Sequence, residues 1–161
     1  MTGKIATLAI VLCAAFGGVA MYYLQVYGYY RTLPGQTSYR LGDADVAISG
    51  FQGIDSDSSP LRYRACFSVT GPLDLPEAPA AEPLNAPGWF DCFDAAAIGA
   101  ALTAGQARAL MVQANAPWGF DRVMALFPDG RAYVWPQVNA CGAAHFDGQR
   151  LPAGCPTPPE R

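Results

Sequence analysis

The sequence predicts an α+β protein: one N-terminal transmembrane helix, then a small antiparallel-sheet domain with helices on one face and a disulfide-stapled tail. Three observations predict this class. The chain opens with an apolar run of twenty residues without a charge, apolar residues alternate in two pairs of segments further on, and four cysteines follow the run. We expect an anchor over residues 1–31 and one domain over residues 32–161.

The apolar run, Ile5 to Leu24, is long enough to cross a bilayer, because a helix rises about 1.5 Å per residue and the hydrocarbon core is about 30 Å thick. Five tyrosines lie at the end of the run and just beyond it, before Arg31, and tyrosine favours the membrane–water interface. The tyrosines are Tyr22, Tyr23, Tyr27, Tyr29 and Tyr30. The lipid bilayer is therefore a predicted partner.

A cleaved signal peptide is the alternative, since Gly18, Val19 and Ala20 include the small residues that a signal peptidase requires. Retention is favoured because the apolar run continues past that point and because Lys4 is the one charge before it. Lys4 suggests an N-terminus inside the cell, but Arg31 on the far flank weakens the charge argument for orientation.

Small residues recur along the helix at steps of three and four, which would let a second helix approach closely. They are Ala6, Ala9, Cys13, Gly17 and Ala20. Ordinary alanine-rich filler is the other interpretation, because Ala14, Ala15 and Gly18 lie on other faces of the same helix. The pattern leaves both interpretations open. A helix–helix contact would predict an integral membrane protein as partner.

Four cysteines beyond the helix predict two disulfides and hence an oxidising compartment. Of the three pairings, we favour Cys66 with Cys92 and Cys141 with Cys155, because pairing of near neighbours matches the predicted local hairpins. A metal site at Cys141, His145 and Cys155 is disfavoured because no C-x2-C pair is present. The domain is therefore predicted to lie on the oxidising side of a membrane that the chain crosses once.

The first part of the domain is predicted to hold a β-hairpin. After a polar connector, Thr32 to Tyr39, apolar residues alternate in Asp43 to Phe51 and in Leu61 to Thr70. The segment between them, Gln52 to Pro60, is rich in the Gly, Asp and Ser of turns. Gly71 to Gly88 is proline-rich and is predicted to drape over the surface as an extended loop.

Two helices and a second hairpin are predicted next. Asp94 caps a helix that starts after an aromatic stretch, and Thr103 resembles the start of a capping box for a second helix, Ala104 to Gln113. Arg122 to Phe127 and Arg131 to Trp135 flank a Pro-Asp-Gly turn and are predicted strands. The tail follows from Cys141 to Arg161.

Composition and motifs argue against an enzyme. Charged residues make up 14% of the chain and the net charge is -3, so no basic field exists for nucleic acid. His145 is the single histidine, and the chain contains no G-x-S-x-G, P-loop, G-x-G-x-x-G or H-E-x-x-H motif. Asp55 to Ser59 superficially resembles a calcium loop, but the sixth and twelfth positions are Pro60 and Cys66. We expect no catalytic residue, no metal and no cofactor.

Three tryptophans, Trp89, Trp118 and Trp135, are predicted to be anchors either of the core or of an interface with a partner.

Four stretches of the chain resemble a small membrane-anchored family of alphaproteobacteria whose function is unknown and some of whose members carry the label "histidine kinase". These stretches are FQGIDSDSSPLRYRACF, LNAPGWFDCFDAAAIGAAL, GFDRVMALFPDGRAYVWPQVNACG and FDGQRLPAGCPTPPER. The resemblance implies no established activity and no catalytic residues. The sequence contradicts the kinase label, because His145 lacks a helical phosphoacceptor context and the ATP-binding glycine motifs are missing.

The leading hypothesis from the sequence is a non-enzymatic accessory or assembly subunit of a larger complex. With the bacterial family resemblance, we expect a single-pass protein of a bacterial inner membrane with its domain in the periplasm. A respiratory complex is the expected host by analogy alone, since small single-span subunits commonly decorate such complexes. The alternative is a membrane-anchored periplasmic sensing or small-molecule-binding module, with Arg62, Arg64 and Asp121 lining its pocket.

Overall fold

The computed structural model describes residues 2–78 and 80–159. The parts of the predicted anchor, proline-rich loop and tail that fall on Met1, Pro79, Glu160 and Arg161 lie outside the described residues. The helices are α1 (Thr2–Tyr23), α2 (Ala95–Thr103) and α3 (Ala140–Phe146), and a π-helical turn (Leu24–Gly28) extends α1. The strands are β1 (Arg31–Thr32), β2 (Ser38–Leu41), β3 (Ala44–Asp55), β4 (Arg64–Val69), β5 (Arg108–Gln113), β6 (Phe120–Leu126) and β7 (Arg131–Val138).

The seven strands form one antiparallel sheet in the order β1-β3-β4-β7-β6-β5, with β2 also paired to β3. Strand β3 is long enough to hold two partners on one edge: its start pairs with β2 and its end pairs with β1. Just beyond β2, the Gly42 N–H donates to the Val112 carbonyl of β5 at 3.0 Å. The sheet therefore curls until its two ends meet.

Curling gives the sheet an enclosed inner face and a covered outer face, each with its own apolar cluster. The inner cluster includes Tyr39, Leu41, Ile48, Tyr63, Ala65, Phe67, Val69, Leu110, Val112, Met124, Ala132 and Val134. The outer cluster includes Ile54, Cys66, Ala78, Phe90, Phe93, Ile98, Val123, Ala125 and Trp135, with α2 and the proline-rich loop packed over it. The predicted α+β class, an antiparallel sheet with helices and an apolar N-terminal helix, is confirmed.

The proline-rich loop protects the outer edge of β5. The Ala78 N–H donates to the Ala109 carbonyl at 3.0 Å, and the Met111 N–H donates to the Pro76 carbonyl at 2.8 Å. These bonds use backbone groups that an open strand edge would leave free for another chain.

Asp94 and Gly105 set the two ends of helix α2. The Asp94 carboxylate accepts from the Ala97 N–H at 3.0 Å, as the predicted cap requires. Gly105 has φ +69°, and the Gln106 N–H donates to the Ala101 carbonyl at 2.8 Å, which is the bonding of a Schellman ending.

The prediction of a second helix over Ala104 to Gln113 is wrong, because Gly105 ends α2 and strand β5 follows. Leu110 and Val112 face the inner cluster, while Met111 packs against the outer one. With both faces apolar, the strand lacks the polar alternation that would have distinguished it from a helix.

Both predicted hairpins are present, as β3–β4 and as β6–β7 with its turn at Pro128 to Gly130. The connector predicted from Thr32 to Tyr39 also contains the end of β1 and the start of β2. The tail holds α3, capped by the Asn139 side chain, which accepts from the Gly142 N–H at 2.9 Å. His145 is therefore helical, contrary to the sequence interpretation.

Disulfides join Cys66 to Cys92 and Cys141 to Cys155, the pairing favoured from the sequence. The first ties β4 to the segment before α2, and the second ties α3 to the tail. Among the described residues no group of three or more His, Cys, Asp or Glu is arranged to hold a metal ion.

Candidate functional site

The apolar helix meets the domain at a defined set of contacts, which we call the helix–domain junction: Gln25, Val26, Tyr27, Tyr30, Arg62 and Trp89. The Trp89 indole Nε1–H donates to the Val26 carbonyl at 2.7 Å. Carbonyls in the last turn of a helix lack partners within the helix, so this bond satisfies one of them. The Tyr27 ring stacks on Trp89 at 6.3 Å between centroids, and the Tyr30 ring meets it edge-on at 5.9 Å.

Arg62 provides a second link at the junction. Its Nη2 donates to the Gln25 side-chain oxygen at 2.5 Å, and its Nη1 donates to the Gln25 backbone carbonyl at 3.4 Å. The guanidinium carbon lies 5.1 Å from the centre of the Tyr30 ring, within the range of a cation–π contact. One side chain thus holds both the helix end and the segment that leaves it.

Arg31 provides the third link, three residues after the π-helical turn. It pairs with Asp57 at 2.6 Å and with Asp55 at 3.1 Å, and β1 begins at Arg31 itself. The hydrogen bond and charge of Asp57 raise the pKa of Arg31, so it stays charged. Strand β3 continues into the predicted turn as far as Asp55, whose carboxylate also accepts from the Ser56 N–H at 2.8 Å. The helix therefore enters the sheet without a flexible linker.

Residues 3–25 of the helix are exposed, including the predicted packing residues Ala9, Cys13, Gly17 and Ala20. A methyl group added at Gly17 would meet nothing within 4 Å. The span from Gly3 to Gly28 is long and apolar enough to cross a membrane, a property that a signal sequence near the N-terminus shares. The disulfides indicate an oxidising compartment for the domain.

The three predicted tryptophan anchors lie in different surroundings. Trp89 lies at the helix–domain junction, while Trp135 is fully buried in the outer cluster. The Trp118 indole donates to the Pro156 carbonyl at 3.1 Å, and its ring meets the His145 ring edge-on at 5.0 Å. Trp118 thus holds the tail, and His145 packs against an aromatic ring.

The structure does not bring the predicted pocket residues Arg62, Arg64 and Asp121 together. Asp121 accepts from the Asn115 N–H at 2.7 Å and from the Asn139 side chain at 3.0 Å, so it organises the loop before β6. Arg62 lies at the helix–domain junction instead. The pocket hypothesis built on these three residues is therefore wrong in its residues.

Arg64 is buried, with 4% of its surface exposed, and it acts as an internal clamp. Burial lowers its pKa to about 10, so it stays charged at neutral pH. Its guanidinium donates at 2.6 to 2.9 Å to four backbone carbonyls, those of Leu61, Tyr63, Leu84 and Asn85. These bonds compensate the cost of burying the charge and fix the proline-rich loop against β4.

A cavity that the sequence analysis missed lies against the inner face of the sheet, and we call it the tyrosine–arginine cavity. It has a volume of about 310 Å³. The Tyr39 and Tyr63 hydroxyls meet at 2.7 Å in its wall, and the Arg122 guanidinium carbon lies 4.4 Å from the centre of the Tyr63 ring. The other lining residues are Leu33, Gln36, Arg40, Gly42, Val112 and Gln113.

Burial raises the pKa of Tyr39 and Tyr63, so both hydroxyls keep their protons at neutral pH. The Arg122 Nε is buried and has no hydrogen-bond partner among the described residues. Tyr63 lies in the predicted alternating segment Leu61 to Thr70, but its hydroxyl partner Tyr39 is on β2, which begins inside the predicted polar connector.

A family model described as a family of unknown function, DUF6446, matches residues 37–156 of the chain. This range begins just before β2 and runs through both disulfides, so it covers most of the domain and none of the apolar helix. The match supports the resemblance to an uncharacterised family. No curated protein matches the chain, and no solved structure matches it.

Proposed function

We propose that this chain, which belongs to the family of unknown function DUF6446, acts as a non-enzymatic accessory or assembly subunit of a larger inner-membrane complex. In this proposal the helix stays in the bilayer and binds a helix of an integral membrane partner, while the disulfide-bonded domain docks on that partner in the periplasm. The observation that carries the proposal is the helix–domain junction, which couples the two parts directly.

A protein that needs only to be kept near a membrane can use a flexible linker. Here Trp89 and Arg62 bond the helix end, while Arg31, at which the chain enters the sheet, pairs with Asp55 of the domain. Fixed coupling of this kind gives the domain one orientation relative to the bilayer. A defined orientation serves simultaneous contact with one partner both within and above the membrane.

The helix supports the same role. Lipid covers its apolar side chains, and its small residues would allow a second helix to approach closely. Gly17 and Gly18 are adjacent and both open, but Gly17 belongs to the small-residue stripe and Gly18 does not. This pair offers a matched test of whether the stripe is used.

The experiment is purification of the tagged full chain from native membranes in a mild detergent, followed by mass spectrometry of stoichiometric partners. We expect an integral membrane partner with the unaltered chain. Gly17→Leu should reduce its recovery about tenfold, because a large side chain keeps the helices apart, while Gly18→Leu should retain it. Recovery of the unaltered chain as a lone monomer would refute the role, and equal effects of the two variants would refute the helix contact.

The same preparation tests whether the N-terminal helix is retained and which complex the protein belongs to. The intact mass should include the N-terminal segment, whereas a mature chain beginning at Met21 would remove the membrane helix from the proposal. We propose a respiratory complex as the first host to examine, and haem or flavin absorbance in the purified assembly distinguishes it from other hosts.

A further inference from the structure

In the tyrosine–arginine cavity one donor of Arg122, its Nε–H, has no acceptor among the described residues, while the charge of the guanidinium also acts on the Tyr39 hydroxyl and opposes the rise of the Tyr39 pKa. The Arg122 Nε–H is buried and unpartnered, and none of the ion pairs among the described residues involves Arg122. A buried polar group without a partner is costly, and more so when it carries charge. Arg122 also lines the cavity, where a ligand can supply acceptors to the part of the guanidinium that faces it.

The two tyrosines supply a further donor. One hydroxyl of the Tyr39–Tyr63 pair donates to the other at 2.7 Å. The hydroxyl that accepts keeps its own O–H, which is free to donate to another acceptor. The Arg122 guanidinium also packs over the Tyr63 ring in a cation–π contact, which positions the cation without neutralising its charge.

The charge around the cavity is positive. Arg122 and Arg40 line it, and among the described residues no carboxylate does. Asp45 approaches Arg40 only to 3.8 Å, and Asp55, whose charge reaches the tyrosines, is itself paired with Arg31. The cavity therefore favours an anion over a neutral or cationic ligand.

The remaining wall limits the size and character of the ligand. Leu33, Val112 and the tyrosine rings provide apolar surface, while Gln36 and Gln113 offer amides at the rim. A volume of about 310 Å³ is near the lower end of the range for ligand pockets. A compact molecule with one anionic end and a short apolar body fits these features.

We propose that the tyrosine–arginine cavity binds a small organic carboxylate, with Arg122 pairing with the carboxylate and the Tyr39–Tyr63 pair donating a hydrogen bond to it. A planar guanidinium matches a carboxylate geometrically, because two parallel N–H groups face two oxygens. The proposal uses residues apart from the helix–domain junction, so it does not depend on the partner proposed above.

The test is a titration of the full chain in nanodiscs with sodium propionate, succinate and benzoate. Calorimetry and saturation-transfer NMR measure the binding. Chloride at equal ionic strength and inorganic phosphate are the comparison ions. We expect at least one carboxylate to bind below about 10 mM, and Arg122→Gln to weaken it about tenfold or more. Arg108→Gln is the matched control, because Arg108 pairs with Glu77 and does not line the cavity.

Tyr39→Phe keeps the ring and removes one hydroxyl, so it tests the site should Arg122→Gln unfold the domain. We expect a several-fold loss of carboxylate affinity with an unchanged far-ultraviolet spectrum. Three results would overturn the proposal: no carboxylate bound at about 10 mM, equal binding by the cavity variants and Arg108→Gln, or phosphate bound as tightly as every carboxylate.

Discussion

Trp89 and Val26 are 63 residues apart in the sequence, yet the indole N–H of Trp89 donates to the Val26 carbonyl at 2.7 Å. Val26 lies in the π-helical turn that ends the apolar helix, and Trp89 lies at the end of the proline-rich loop, three residues before Cys92. The disulfide from Cys92 to Cys66 then ties that loop to β4. A continuous path of covalent and hydrogen bonds thus joins the helix end to the middle of the sheet.

The first prediction concerns this bond. Trp89→Phe keeps a ring for Tyr27 to stack on but removes the N–H donor. A hydrogen bond contributes about 1 kcal/mol net, which is about fivefold in an opening equilibrium. We expect the amides of Tyr29 and Tyr30, which bond back to the helix end, to exchange about fivefold faster. Hydrogen exchange read by mass spectrometry measures this.

Trp118→Phe is the matched control, because it also removes an indole-to-carbonyl hydrogen bond, the one to Pro156. It should speed exchange in the tail and leave Tyr29 and Tyr30 unchanged. Identical exchange at these two amides in Trp89→Phe and the unaltered chain would show that the bond does not hold the junction.

Strand β5 shows where sequence reasoning stops. The hairpins were predictable because their strands alternate and a Pro-Asp-Gly turn joins one pair. The segment from Arg108 to Gln113 packs on both faces, so its pattern does not separate strand from helix. One local signal was present: Gly105 after the α2 residues marks a helix ending, not the first turn of a new helix.

The candidate sites were predictable only in part, since each joins residues that are distant in sequence. The tyrosines after the helix indicated an interface, but nothing local links Val26 to Trp89. Likewise, the alternation in Leu61 to Thr70 predicted a strand near Tyr63, but the contact of its hydroxyl with that of Tyr39 depends on how the sheet curls. The sequence suggested Arg64 as a pocket residue. In the structure Arg64 is buried against four backbone carbonyls, and the sequence could not show this because the carbonyls come from different segments of the chain.

The second prediction concerns the disulfides. The bridge between Cys66 and Cys92 closes a loop of 26 residues, and Cys66 belongs to the outer cluster. Replacing both with alanine should lower the unfolding free energy by about 3 to 4 kcal/mol, mainly through the freedom that the unfolded chain gains. Urea titration in mild detergent measures this.

The second bridge separates local from global stability. Cys141 and Cys155 are 14 residues apart and tie α3 to the tail. Replacing both should cost about 3 kcal/mol at most, and hydrogen exchange should rise mainly in α3. Cys13→Ser is the control with no expected effect, because Cys13 is exposed on the apolar helix and outside either bridge. Equal, chain-wide destabilisation by both double variants would contradict this division.

The third prediction is a loss of stability in alkali. Burial raises the pKa of Tyr39 and Tyr63 above the value of 10.0 that they have when unfolded. Their contribution is therefore fully present below pH 10 and is lost as the pH rises towards the folded pKa, because only the unfolded chain releases the protons. Each tyrosine should remove up to about 1.4 kcal/mol per pH unit above 10.

Urea midpoints from pH 9 to pH 11 in a Cys13→Ser background measure this slope and avoid thiolate exchange. Tyr63→Phe should reduce the slope by about half, since one of the two groups is removed. Tyr29→Phe is the control, because Tyr29 is 43% exposed. A slope that Tyr63→Phe leaves unchanged would show that Tyr63 ionises as readily in the folded chain as in the unfolded one.

The fourth prediction tests how the tail docks on the domain. Gly142 in α3 lies so close to Gly119 that an added Cβ would overlap the Gly119 carbonyl oxygen, which also accepts from the Asn139 N–H at 3.0 Å. Gly142→Ala should therefore cost about 1 to 3 kcal/mol, because the helix must move away from a backbone that cannot yield. Gly99→Ala should stabilise the protein by about 0.5 to 1 kcal/mol, because Gly99 is inside α2 and its nearest neighbour is Pro83 Cδ at an ordinary 3.8 Å. Thermal unfolding of the two variants should thus shift in opposite directions, and a Gly142→Ala protein as stable as the unaltered chain would mean that α3 does not rest on Gly119.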